Sequence, residues 1–219
     1  MPDLIQRAAW FRSKGFAGYG SLFAELGLRQ NPHTLFIACS DSRVDPNLIT
    51  GSVPGELFVI RNIANIVPDY DRAAEDVAVS SAVEYAVKVL EVENIVVCGH
   101  SNCGGCKAMC SHSIDTLELT SSWLEFAGEL KEVIRDVQDS DSGCVDYTTD
   151  VLQRVELENV VLQLRSLLTY PYIQQRHASG DLKLFGWHYD IRSGAILNYD
   201  LESGEFHEIS GDSSQKSSS

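Results

Sequence analysis

A chain of 219 residues, 44% apolar and 22% charged, has the composition of one ordinary globular domain, which excludes a fibrous or disordered protein. Its 17 basic and 31 acidic residues give a net charge of −14, a field that repels phosphate backbones and argues against nucleic acid as a partner. No apolar run approaches the roughly 18 residues that cross a bilayer, and the N-terminus has no basic segment followed by an apolar one, so the expectation is a cytoplasmic protein with no membrane partner. A domain of this size does not need disulfide staples. Its six cysteines, grouped near Gly and His, point to thiolate chemistry in a reducing compartment.

Residues 3–28 place Leu4, Ile5, Ala8, Ala9 and Phe11, then Leu22, Phe23 and Leu26, at helical spacing, and Gly15-Phe16-Ala17-Gly18 divides them into two helices. They form an arm ahead of the first strand. Thr34 to Cys39 is a continuous apolar run ending in polar residues, the pattern of a strand buried on both faces of a parallel sheet. Leu57-Phe58-Val59-Ile60 and Asn94 to Cys98 repeat that pattern. Between them, over 75–90, Val79, Ala82, Val83, Ala86, Val87 and Leu90 recur at the helical period and supply a crossover helix, so the strands pair in parallel. Helices are predicted over 117–137 and 150–168, separated by a solvated loop at 139–143. Residues 182–189, the turn Arg192-Ser193-Gly194 and residues 195–197 predict a closing hairpin.

The expected fold is therefore α/β, with a central, mainly parallel sheet, flanking helices, an N-terminal helical arm and a C-terminal edge hairpin. One domain spans 1–210, its first 30 residues being the arm. The Ser-rich tail at 211–219 has nothing to bury and reads as disordered.

Ligands of open parallel sheets bind beyond the carboxyl ends of the strands. The first strand delivers Cys39-Ser40-Asp41-Ser42-Arg43 to that edge, and the third delivers Cys98-Gly99-His100-Ser101-Asn102-Cys103-Gly104-Gly105. Thiolate and imidazole are preferred zinc ligands, and a His-x-x-Cys pair at a strand-to-helix turn can converge with a neighbouring strand's cysteine, leaving one coordination position for chemistry. Taken singly, Cys39, Cys98 and Cys144 each read as small buried hydrophobes. Cys103-Gly104-Gly105-Cys106 also fits a redox pair. Cys39, Asp41, Arg43, His100 and Cys103 together add an acceptor and its counter-ion to the ligand types.

Four blocks carry a family resemblance: Cys39-Ser40-Asp41-Ser42-Arg43-Val44, Pro54-Gly55-Glu56-Leu57-Phe58-Val59-Ile60-Arg61-Asn62, Glu84-Tyr85-Ala86-Val87 and Cys98 to Gly105. In order and spacing they resemble the β-class carbonic anhydrases, nearest the plant-type and bacterial branch, and weaker similarity runs from residue 3 to about 208. The resemblance implies one zinc ion per chain on Cys39, His100 and Cys103, a catalytic pair Asp41 and Arg43, and a substrate pocket of Gln30, Phe58, Tyr85, Val44 and Gly104. It implies reversible hydration of carbon dioxide to bicarbonate and a proton by attack of zinc-bound hydroxide. It also implies a homodimer or a multiple of dimers, in which the arm packs on a neighbour that supplies the pocket glutamine.

The residue chemistry fits. Two thiolates and a neutral imidazole make a formally neutral zinc site, which acidifies water less than a three-histidine site with its bound-water pKa of about 7. Ionised Asp41 is an acceptor only and orients a hydroxide proton, while Arg43 holds Asp41 by a bidentate pair. Arg61 has two readings, a structural partner of Glu56 or Asp76, or part of an anion site. Members with a second bicarbonate site carry a tryptophan where this chain has Phe36, although Arg61 and Tyr189 match that site. Ala78 and Ser80 replace glycines ahead of the Glu84-Tyr85 pair, and Cys106 and Cys110 match no family role. Two rival readings remain: hydrolysis of carbonyl sulfide or carbon disulfide on the same zinc site, and a redox or zinc-binding protein built on Cys98, Cys103, Cys106 and Cys110.

Overall fold

Thr34–Cys39 forms strand β1, and all six of its side chains are buried, which is why its sequence is a continuous apolar run. The computed structural model describes residues 3–111, 116–140 and 149–210. β1 lies between β2 (Leu57–Asn62) and β3 (Asn94–His100), and β3 pairs in turn with β4 (Lys183–Tyr189), all in parallel. β5 (Ile196–Tyr199) and β6 (Phe206–Glu208) continue the sheet antiparallel, giving the order β2-β1-β3-β4-β5-β6. The predicted closing hairpin is thus β4–β5, and a third short strand extends it.

The arm consists of α1 (Leu4–Ser13) and α2 (Gly20–Leu26), joined by a 3-10 turn over Gly15–Tyr19. After β1 come the short α3 (Pro46–Thr50), with Asp45 capping its first amides, and after β2 the crossover α4 (Val77–Lys88). Asp76 Oδ1 accepts from the amides of Ala78 and Val79, both at 3.0 Å, and fixes where α4 begins. Ser80 stands where a glycine was expected, and its hydroxyl lies 3.2 Å from that of Tyr170.

Beyond β3 lie α5 (Gly104–Ser111), α6 (Glu118–Leu124), α7 (Leu130–Ser140), α8 (Thr149–Leu168) and α9 (Pro171–Ala178). The single helix predicted over 117–137 is therefore two. A 3-10 turn at Glu125–Ala127 interrupts it, Gly128 N donates to Glu125 O, and the Trp123 indole N–H is drawn to the carbonyl of Ile63 at 2.8 Å. The predicted loop at 139–143 is also shorter at its start, since α7 runs through Ser140. Residues 141–143 of that loop, Cys144 and the tail at 211–219 lie outside the described residues.

The core has two parts that bear on the site. On one sheet face, Leu35, Ile37, Ile95, Val97 and Leu184 pack against Val83 and Val87 of α4, Val160 and Leu164 of α8 and Ile173 of α9. Beyond the strand ends, Cys39, Cys103, Cys106 and Cys110 pack with Ala64, Leu130, Ile134 and Val155. α8 serves both, and two glycines let it approach the sheet: a Cβ on Gly99 would lie 2.7 Å from Val160, and one on Gly186 would meet Leu164 at 2.7 Å and Val160 at 2.9 Å. Gly186→Ala should therefore destabilise the chain by about 1–3 kcal/mol through overpacking, read as a lowered urea midpoint at unchanged slope.

Candidate metal centre

β1 and β3 end level with one another, Ala38 pairing with Cys98, so Cys39 and His100 emerge at the same sheet edge. The chain then turns at Asp41, whose carbonyl accepts from Val44 N at 3.0 Å and whose Oδ1 accepts from Arg43 N at 3.0 Å. The Arg43 side chain returns to the same carboxylate, with Nε to Oδ1 at 2.9 Å and Nη2 to Oδ2 at 2.7 Å, a bidentate pair. Nη2 also donates to Asn102 O at 3.1 Å, tying this loop to the one after β3. Arg61 reaches across from β2 and donates to Cys39 O at 3.1 Å and Asp41 O at 2.6 Å. It therefore pairs with neither Glu56 nor Asp76: carbonyls closing the β1 turn compete for a guanidinium that sequence alone can only match to a carboxylate.

After His100 the chain takes a left-handed step at Asn102 (φ 54°), a residue type that tolerates it, and Cys103 follows immediately before α5. Cys103 N donates to Glu156 Oε1 at 2.8 Å, and Glu156 Oε2 lies 3.2 Å from His188 Nε2. Glu156 is buried on α8 and was not singled out from the sequence; its one signal is a carboxylate on the apolar face that carries Val160 and Leu164.

The Cys39 and Cys103 sulfurs and a His100 ring nitrogen all lie within 4.8 Å of one another, with the three residues 4%, 1% and 0% exposed. His100 Nδ1 lies 3.0 Å from Ser101 O. A carbonyl only accepts, so Nδ1 carries the proton and Nε2 presents its lone pair to the cluster, where it has no hydrogen-bond partner. The Cys39 thiol is pushed up to about 12, first by its hydrogen bond with Cys103 and then by burial. Cys103 is raised by its hydrogen bond with Cys106 and by burial. Crowded buried sulfurs beside an orphaned imidazole nitrogen are the donor set of a thiophilic divalent cation, which would displace both thiol protons. The residues fit a metal. Asp41 Oδ2, 4.0 Å from His100 Nε2, places an acceptor at the exposed side of the same group.

The expected pocket residues divide. Val44 is buried beside the Asp41 turn, and Gly104 opens α5 with empty space where a Cβ would sit. Phe58 and Tyr85 pack together, ring centroids 6.1 Å apart, but Phe58 pairs with Leu35, four residues before Cys39 and so about 13 Å down the strand. Gln30 is exposed in the segment between α2 and β1. Within one chain, these three do not join the metal group. A cavity of about 530 Å³ borders Arg43, lined by Asn102, Glu156, Asp190 and Arg192 and by none of Cys39, His100 and Cys103. Phe36, at the position of the missing tryptophan, is buried edge-on to Trp187, whose indole N–H already donates to Asn198 at 3.1 Å.

A carbonic anhydrase family model matches residues 34–196. A carbonic anhydrase of Pseudomonas aeruginosa is 43% identical over 207 residues, 94% of this chain and 90% of its own. The structure of the β-carbonic anhydrase CcaA matches with a TM-score of 0.86 at 40% identity, covering 94% of this chain and 98% of that one. The chain belongs to the β-class carbonic anhydrases. A further match, from the structures of two tetrameric β-carbonic anhydrases of the filamentous ascomycete Sordaria macrospora, has a TM-score of 0.70 at 28% identity over 94% of this chain and 98% of its own.

In this carbonic anhydrase the Arg43 guanidinium beside Asp41 holds its carboxyl below the usual carboxylate range. A depressed folded pKa means the pair contributes stability above the unfolded value of about 3.9 and loses it as pH falls through the lower folded value. Carboxyl-carbon NMR should find Asp41 still ionised at about pH 3.9, and Arg43→Gln should return its midpoint toward that value. A native midpoint at or above it would contradict the pairing.

Proposed function

We propose that Cys39, His100 and Cys103 hold one zinc ion and that Asp41 and Arg43 are the catalytic pair beside it. The chain, as a carbonic anhydrase, catalyses the reversible hydration of carbon dioxide to bicarbonate and a proton. The observation that supports the site is the meeting of two buried sulfurs and an unpartnered imidazole nitrogen with a carboxylate that Arg43 keeps ionised. Zinc bound there would supply a water-derived nucleophile and polarise the substrate.

The remaining work falls to side chains. Asp41, an acceptor only, accepts a hydrogen bond from an approaching O–H and so turns an oxygen lone pair toward the carbon of carbon dioxide. Arg43 fixes the direction of that acceptor, and its tie to Asn102 O keeps Asp41 from swinging into the ligand set. Val44 and Gly104 border the space in which the linear, nearly apolar substrate lies. Gln30, Phe58 and Tyr85 bind substrate in the site of a second copy, because they lie away from the metal group of their own chain. α1 buries none of its residues, and Leu4, Ile5, Trp10, Phe11 and Leu28 are exposed, an apolar surface suited to packing on that copy in a homodimer or a multiple of it.

Metal analysis and stopped-flow hydration, with carbonyl sulfide as the comparison substrate, test this reading. Cys39→Ala and His100→Ala should each lose zinc and activity together, and full zinc occupancy in both would refute the ligand set. Arg43→Ala should keep zinc and lose about 10²–10³ in turnover, the scale of one misdirected polar group. Deleting residues 1–30 should abolish dimers in sedimentation and activity in the same sample, whereas a fully active monomer would refute the composite site.

A further inference from the structure

Cys106 is the thiol beside the metal group that the hydration chemistry leaves unused. It is the third residue of α5, and Cys103 directly precedes the helix, so the two bracket Gly104 and Gly105 at its start. Helix geometry sets Cα atoms three residues apart at about 5 Å, inside the range of roughly 4.4–6.8 Å that a disulfide spans. The two residues already pack together in one buried cluster. Both residues are buried, but the backbone between them is not roofed over: Gly104 is exposed and nothing lies within 4 Å of the place a Cβ would take. Gly105 is held against Ala64 and Ile63, where a Cβ would come within 2.8 and 2.9 Å, so the turn carrying both cysteines is fixed in place.

We propose that Cys103 and Cys106 form a reversible disulfide that withdraws Cys103 from the metal and turns the enzyme off. The proposal rests on the reading of Cys103 as a ligand. A hydroperoxide is the oxidant. Hydrogen peroxide transfers one oxygen to the Cys106 thiol, giving the sulfenic acid and one water. The Cys103 thiolate then attacks that sulfur, the S–S bond forms, and the S–O bond breaks to release hydroxide. Two electrons pass from the two sulfurs to the peroxide. The metal is left with Cys39 and His100 and is lost. A dithiol reverses the step by exchange and restores the ligand. Cys39 also packs with Cys103, but in the loaded site the metal would hold both of those sulfurs, while Cys106 stands outside the proposed ligand set.

The zinc-loaded full chain, treated with hydrogen peroxide, provides the test. Zinc release to a chromogenic chelator, free-thiol titration and peptide mapping are followed together. The expected result is one zinc released for each pair of thiols lost, a cross-linked Cys103–Cys106 peptide, and recovery of both thiols and metal binding on adding dithiothreitol and zinc. Cys106→Ser should release zinc more slowly by about tenfold or more, because no sulfenic acid then forms beside Cys103 to draw it from the metal. Cys106→Ala gives the same readout where a hydroxyl disturbs the apolar surroundings, and Cys110→Ser should release zinc at the native rate. A cross-link mapped to Cys39 and Cys103, or native-rate zinc release from both Cys106 variants, overturns the proposal alone. A chain that takes up no zinc before oxidation overturns the ligand reading and this proposal with it.

Discussion

The parallel register of β1 against β3 is the constraint on which the metal group depends. Thr34 pairs with Asn94 and Ala38 with Cys98, so the two strands finish together and their last residues share one edge. A slip of one residue would exchange the two faces. Leu35 and Ile37 would leave the side covered by α4 and α8, and Cys39 would turn away from the loop that carries His100 and Cys103. The same face needs Gly99 and Gly186, because α8 lies where their Cβ atoms would be. That approach brings Glu156, one helical turn before Val160, under Cys103 N and against His188. Close packing of one helix on two glycines thus sets the position of Cys103, which Glu156 holds by its amide.

Two arginines do different jobs on one short segment of a chain whose net charge is −14. Arg61 donates to the carbonyls of Cys39 and Asp41 and stiffens the backbone. Arg43 orients the Asp41 carboxylate and, through Asn102 O, couples the β1 loop to the β3 loop. Both tasks need a planar fork with several donors, which a lysine ammonium does not offer at the same geometry. Asp41 stays ionised because its partner is covalently near, two residues on, and not because the surrounding field is positive.

Much of this was legible in the sequence because the signals are local. Buried parallel strands need apolar side chains on both faces, so Thr34–Cys39 and Asn94–Cys98 announce themselves, and the helical recurrence of Val79, Val83, Ala86 and Val87 marks α4. The resemblance supplied the family and the expected ligands, and the fold it implied is the one observed. What escaped depends on distant partners. The break between α6 and α7 follows from Trp123 reaching Ile63, sixty residues away. α9 leaves only Ile173 buried, too little for a periodic signal, and β6 is three residues long. The contacts of Arg61 escaped for a related reason: carbonyl acceptors are present at every residue and give no sequence signal, so of its two readings the pairing with Glu56 or Asp76 fails. Phe58 and Tyr85 were expected in one pocket; they do pack together, but the register that sets Phe58 about 13 Å from the Cys39 end of the sheet has no local signal.

The arm raises the remaining physical question, which is what makes it helical. α1 has ten residues and buries none of them, and an isolated helix shorter than about 12–15 residues is marginal in water. Asp3 caps it and the aromatic contacts of Phe16 with Phe11 and Phe23 hold the two halves of the arm together, yet Leu4 and Ile5 remain more than three-quarters exposed. Among the described residues nothing buries it, so in the proposed assembly its stability comes from a second copy. β2 is an edge of the sheet, and Val59 on it, Ile63 just past it and Tyr85 of the adjoining α4 are exposed apolar side chains as well. An uncovered arm and an uncovered sheet edge are complementary deficits, each open to aggregation when left bare. In the proposed homodimer a second copy would answer both at once, and the same contact would carry Gln30, Phe58 and Tyr85 toward a metal group that none of them reaches at home.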